Sequence, residues 1–197
     1  MVKGMHEITK KTFERLLVDA GKVVFNYGIA GKERDFGATL GGNTFAIETE
    51  YKEITPDGAR GKMKGGRRIT NVAAALTTNM LEMTLENMKA AIPGSEITTE
   101  TDPATNKQYR SLRRTRDIEN QDYFENVALI GTLTGSGDPV VIIIYNAMND
   151  ENFELAREDK EESTTELVFS AHFDPDAMKA EPWEIRYPVI EEETAGA

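Results

Sequence analysis

Phe45, Ile47, Thr49 and Tyr51 alternate with Ala46, Glu48 and Glu50 along one unbroken stretch. A period of two puts the first set on one side of an extended strand and the second on the other. A helix cannot use this pattern, because its 3.6-residue period would spread both sets around the axis. The stretch therefore predicts a β-strand with one apolar and one acidic face. Such a chain must find a second layer to cover the apolar side.

The same reasoning predicts further strands over 22–27, 69–81, 127–133, 140–145, 153–159, 164–173 and 183–189. The run Val140-Val-Ile-Ile-Ile144 is apolar on both faces and reads as a central strand. Thr134-Gly-Ser-Gly-Asp-Pro139 and Lys160-Glu-Glu-Ser163 read as hairpin connections. Pro182 and Pro188 place the closing strand at an edge. One helix is expected over about 84–92, started by Thr84 and stopped by Pro93-Gly94, with Leu85, Met88 and Ile92 on its apolar face. Residues 1–21 read as an arm or short helix carrying Phe13, Leu16, Leu17 and Ala20, and 191–197 as an acidic tail. Residues 52–68 form a long loop. The polar stretch 95–122 reads as a loop with one short strand near Tyr109. The expected fold is mainly β: an antiparallel sandwich or barrel-like domain over 22–190, with one flanking helix, a long loop and terminal arms.

Chemistry is hard to place on this chain. It has no cysteine, which excludes disulfides, thiolate metal sites and cysteine nucleophiles. The loop Asp57-Gly-Ala-Arg-Gly-Lys-Met63 is not a phosphate loop: the motif's first glycine falls on Pro56, and Met63 stands where a hydroxyl is required. After Gly135-Ser-Gly137 a dinucleotide fingerprint would need glycine where Val140 stands. No Gly-x-Ser-x-Gly elbow occurs. His6 and His172 lack ligand-like neighbours, and Asp174-Pro-Asp176 reads as a turn. No catalytic residue, cofactor or metal ligand is assigned. The longest apolar run, 139–145, is of strand length, and the N-terminus Met1-Val-Lys-Gly-Met-His-Glu7 has no signal-type apolar core.

The charge pattern is more informative. A formal net charge of −11 opposes binding to the DNA backbone. Two basic clusters interrupt it: Arg60, Lys62, Lys64, Arg67 and Arg68, and then Arg110, Arg113, Arg114 and Arg116. The opposite pole, 150–162, holds seven acids and two bases. These are either solvated loops, a nucleic-acid patch without the usual interleaved aromatics, or complementary surfaces between copies of one chain.

A set of short motifs, in order from Val18 to Val189, resembles the major tail (tail tube) proteins of long-tailed, non-contractile bacteriophages. They are Val18-Asp-Ala-Gly21, Phe36-Gly-Ala-Thr-Leu-Gly-Gly-Asn43, Asp57-Gly-Ala-Arg-Gly61, Ala91-Ile-Pro-Gly94, Phe169-Ser-Ala-His-Phe-Asp-Pro175 and Pro182-Trp-Glu-Ile-Arg-Tyr187. The resemblance implies a tail tube β-sandwich flanked by a helix. It also implies hexameric rings stacked around a tape-measure protein, contacts with tail terminator and distal tail proteins, and DNA passing through without specific binding. It implies a virion protein assembled in the host cytoplasm, with no membrane partner. Within that frame Glu48 and Glu50 are expected to face the lumen, and the nine basic residues named above to lie at contacts between subunits or rings. The competing reading is a monomeric β-sandwich binding module, such as a phage decoration or carbohydrate-binding protein; a carboxylate hydrolase has no positive signal.

Overall fold

The strand Pro139–Asn149 (β8) organises the molecule, because it pairs with three others. The computed structural model describes residues 10–157, 159 and 162–189. In chain order the other strands are β1 (Lys22–Phe25), β2 (Arg34–Asp35), β3 (Thr39–Glu53), β4 (Arg67–Met80), β5 (Ser95–Thr101), β6 (Gln108–Arg114), β7 (Phe124–Thr132), β9 (Thr165–Ser170) and β10 (Trp183–Arg186). Two α-helices are described, α1 (Lys10–Glu14) and α2 (Leu85–Ala91).

All the strand pairs are antiparallel. The first part of β8 lies between β7 and β10, with β1 and β2 beyond β7. Its last residues, Met148 and Asn149, cross to pair with β9, which leads to β4 and β3. The crossing follows Asn146, whose φ of 49° is tolerated by asparagine because its short side chain stabilises the left-handed region. Two layers result, and their inner residues form one core. Val23, Phe25, Val127, Leu129 and Ile144 from one layer meet Leu76, Met80, Leu167 and Phe169 from the other. Phe25 touches Phe169 edge-on at 5.4 Å and Phe36 at 5.5 Å, a geometry favoured by the ring quadrupoles. Phe45 and Trp183, 6.4 Å apart, bring β3 near β10 on the open side. The expected mainly-β antiparallel class and the central, doubly apolar strand are both present.

Several expectations need correction. The N-terminal helix ends at Glu14, and Leu16, Leu17 and Ala20 are not helical. Leu17 instead bridges Leu133, the N–H of Thr134 donates to the Leu16 carbonyl at 3.0 Å, and that of Thr132 to the Asp19 carboxylate at 2.8 Å. Strand-like pairing to a neighbouring hairpin wins over a local apolar period. The first strand stops at Phe25, where Asn26 turns the chain with φ 52°. The strand around 45–51 is longer than its alternation, and takes in Gly41 and Gly42 at a register shift. No strand forms over 152–157; there the N–H of Asp150 donates to Val168 and the Thr165 hydroxyl to the Glu154 carbonyl. The polar stretch 95–122 is not a loop, since β5 and β6 make a complete hairpin there. Residue 6 and the acidic tail at 191–197 lie outside the described residues.

The helix α2 forms where expected, with the Thr84 hydroxyl accepting from the Asn87 N–H at 3.2 Å. Its buried side is different: Asn87 and Ala91 are covered, while Leu85, Met88 and Ile92 are half-buried. The Asn87 amide donates to the Phe36 carbonyl at 2.7 Å and the Glu82 carbonyl at 3.2 Å, and its oxygen accepts from Arg34. A polar side chain thus fastens the helix to the turn before β3.

Candidate assembly surfaces

Residues directly opposite one another in an antiparallel pair share a face. Phe45, Ile47, Thr49 and Tyr51 stand opposite Leu76, Ala74, Val72 and Ile69, on the core side. Ala46, Glu48 and Glu50 stand opposite Ala75, Ala73 and Asn71, on the other side. The register with β9 adds Thr77, Asn79, Glu166, Val168 and Ser170 to that outer face. No layer of the described chain covers it. Its residues from Thr44 to Glu50 and across β4 and β9 are small or polar apart from Val168, and three of them are carboxylates. Glu48 and Glu50 are exposed and make no ion pair among the described residues. Glu166 joins them on the same face. Its alternation is visible in the sequence, but only the β4–β9 register places it on their face, opposite Asn79, about 20 Å along β4 from Ala73, the partner of Glu48. Bases appear on this face only at its far end, as Lys52 opposite Arg68.

The sheet that carries this face is open. β3, fifteen residues long, pairs with β4 alone, so its outer edge has no strand partner among the described residues. Beyond Ala74, β4 also runs past the end of β9. The two strands continue as a bare ribbon whose core-side residues lose their cover: Ile47 is 37%, Tyr51 53% and Ile69 59% exposed. The alternation predicted this apolar face correctly, but its distal half has nothing to pack on within the chain.

The first basic cluster sits at the ribbon's tip. Arg60 and Lys64 are exposed and make no ion pair among the described residues; Lys62 reaches Glu53 only at 3.7 Å. The Arg67 guanidinium lies over the Tyr51 ring at 5.1 Å, and Arg68 donates to the carbonyls of Gly65 and Arg67. The acidic segment after β8 lies at the other end of the same sheet, because Met80 pairs with Thr165 and the Thr165 hydroxyl holds Glu154. At about 3.3 Å per residue, β4 separates these poles by about 40 Å.

The second basic cluster is largely committed inside the chain. Arg110 pairs with Glu86 of α2 at 2.8 Å and Arg113 with Glu100 at 3.5 Å. Arg116 makes a two-point contact with Asp122, at 2.6 and 2.9 Å, and approaches Glu119 and Glu96. Arg114 alone of the four makes no ion pair among the described residues. The two-stranded β5–β6 hairpin is thereby tied at its base, where Gly94 has φ 76° and any Cβ would stand 2.6 Å from the Arg116 carbonyl.

Asp122 gives this base a pH dependence. Burial raises its pKa, but the Arg116 guanidinium and the N–H groups of Glu119 and Gly94 outweigh that effect and hold the carboxyl below its usual range. A carboxyl depressed on folding contributes stability above its unfolded pKa of about 3.9, and loses it as pH falls through the lower, folded value. The slope of melting temperature against pH below about 4 is therefore expected to be shallower in Asp122→Asn than in the unchanged chain. An identical slope in both would show that the pair adds nothing.

Elsewhere the surface offers little for chemistry. Among the described residues no group of three His, Asp or Glu side chains lies close enough to hold a metal, and no helix is long and apolar enough to cross a membrane. The His172 ring contacts the Asn146 carbonyl through Nδ1 at 3.0 Å and meets Tyr123 edge-on.

No protein-family model and no curated protein matches the chain. The solved structures similar to it include two chains of phage-like particles. One, from the tail of an empty gene transfer agent particle refined with C6 symmetry, is 11% identical, with 79% of this chain and 92% of that chain covered and a TM-score of 0.44. The other, from the virion of a native gene transfer agent particle, is 10% identical, with 85% and 96% covered and a TM-score of 0.44.

Proposed function

We propose that the chain is a structural subunit of a phage-type tail tube. The observation that carries this reading is the face of β3, β4 and β9: of small and acidic residues, uncovered among the described residues, and bordered by a strand edge that has no partner among them. An exposed long edge invites strand addition, and closure of the sheet around a ring of copies removes it. In such a ring the face with Glu48, Glu50 and Glu166 lines the lumen. It repels phosphate and offers no aromatic platform to bases, so DNA slides past. A tape-measure protein fills the same bore before DNA enters, and terminator and distal tail proteins bind the tube's ends. Six copies per ring is the number that the resemblance to tail tube proteins implies.

The placement of opposite charges at opposite ends of one sheet supports stacking. A contact between different patches on identical subunits propagates without limit unless it closes. The ribbon tip of one ring, with Arg60, Lys62, Lys64, Arg67 and Arg68, meets the acidic end of the next. Arg110, Arg113 and Arg116 support the hairpin base, and Arg114 stays available for a neighbouring copy. Electron microscopy of the concentrated protein is expected to show rings or hollow tubes, with an axial repeat of about 40 Å where the strands run along the tube. A monomer at every concentration, or a bore lined by the basic tip, would sink the proposal.

A further inference from the structure

The acidic end of the molecule holds a groove of about 410 Å³ between the end of α2 and the segment after β8. Ile92, Pro93, Ile118 and Phe153 are among the residues that line it, and Ile118 is 53% exposed. Asp150, Glu151 and Arg114 line it as well. Asn149 fixes the opening: its buried amide donates to the Ala91 carbonyl at 3.0 Å on the helix side and to the Glu151 carbonyl at 2.8 Å on the other, while its oxygen accepts from the Val168 N–H. The groove is thus built into the fold and open to solvent.

Some 40 Å away along β4, the ribbon tip presents Lys62-Met63-Lys64. Met63 is 45% exposed, and a lysine flanks it on each side. An unbranched thioether fills irregular apolar gaps well. Two lysines around it match the two carboxylates that line the groove together with its apolar side chains, and such charge matching sets the register of a contact. Within one chain the tip and the groove cannot meet.

We infer that Met63 of one copy seats in this groove of a second copy, with Lys62 and Lys64 against Asp150 and Glu151. This pairing rests on the tube reading and names the contact by which rings stack. It also gives the exposed Met63 and the pre-formed groove a common purpose.

The absence of cysteine makes a clean test possible. A chain carrying Met63→Cys and Asn152→Cys, the latter on the groove's rim, is assembled and treated with a short bismaleimide. A ladder of covalently joined chains is expected on a denaturing gel. Neither single variant is expected to give more than background, nor is the double variant when kept unassembled. Normal tubes without a ladder would overturn the pairing and leave the tube reading standing; no tubes from the unchanged chain would overturn both. As a second readout, Met63→Asp is expected to weaken growth about tenfold or more while Met63→Leu does not. Equal growth by both would also refute the pairing.

Discussion

Replacing Arg60, Lys62 and Lys64 together by glutamate is expected to leave a folded chain that no longer elongates. All three are exposed, and the one ion pair among them, Lys62 with Glu53 at 3.7 Å, is long. Surface substitutions of this kind scarcely change folding stability. At a stacking contact the result is different, because each changed residue sets a carboxylate against the acidic end of the next copy. Like-charge juxtaposition is costly enough to lower the elongation constant on the order of a hundredfold or more. Circular dichroism and thermal melting test the fold, and sedimentation with electron microscopy tests growth. The unchanged chain is expected to grow more slowly as salt rises, since the Debye length falls from about 10 Å at 0.1 M to about 3 Å at 1 M. Normal tubes from the triple variant would remove the tip from the contact.

Asn87→Ala carries the largest expected effect on the isolated fold. The side chain is buried and serves three partners: Arg34, Phe36 and Glu82. Arg34 lies over the Phe25 ring at 4.5 Å, and burial pulls its pKa down despite the nearby Glu86 and Asp35. Removing the amide leaves a guanidinium without its oxygen partner and the Phe36 carbonyl without its donor. Together these are expected to cost about 3–4 kcal/mol, which for a chain of this size lowers the melting temperature by about 10 °C. Replacing both ends of the Arg34 contact, Arg34→Met with Asn87→Leu, is expected to recover part of the loss, because no guanidinium is then left without its oxygen partner, although the Phe36 carbonyl still lacks its donor. A melting temperature for Asn87→Ala within a degree or two of the unchanged chain would show that the amide is not the fastener.

The sequence made the strands of both layers legible wherever one face was committed to the core. Val23 and Phe25, Val127 and Leu129, and Leu167 and Phe169 all alternate and are all buried. It failed where pairing decides structure without burial. The hairpin of β5 and β6 has only Ile97 and Leu112 half-covered on its inner side, so no hydrophobic period announced it. The stretch 153–159 has Phe153 and Leu155 at strand spacing, yet side-chain and backbone bonds to β9 hold its start in a loop. Asn87 could not be found by apolar periodicity at all, because a satisfied amide is the buried group.

The residue order alone determined that this chain alternates, turns and alternates again, that one strand is acidic on its far side, and that basic and acidic blocks are separate. Those properties are local: they depend on neighbours along the chain and survive in any fold with those strands. Only the tertiary structure decided that Glu166 shares a face with Glu48 and Glu50, that three of the four arginines of the second cluster pair with carboxylates of their own chain, and that the charged blocks occupy opposite ends of one sheet. Those outcomes depend on register between segments far apart in sequence, where a shift of one residue sends every side chain to the other face.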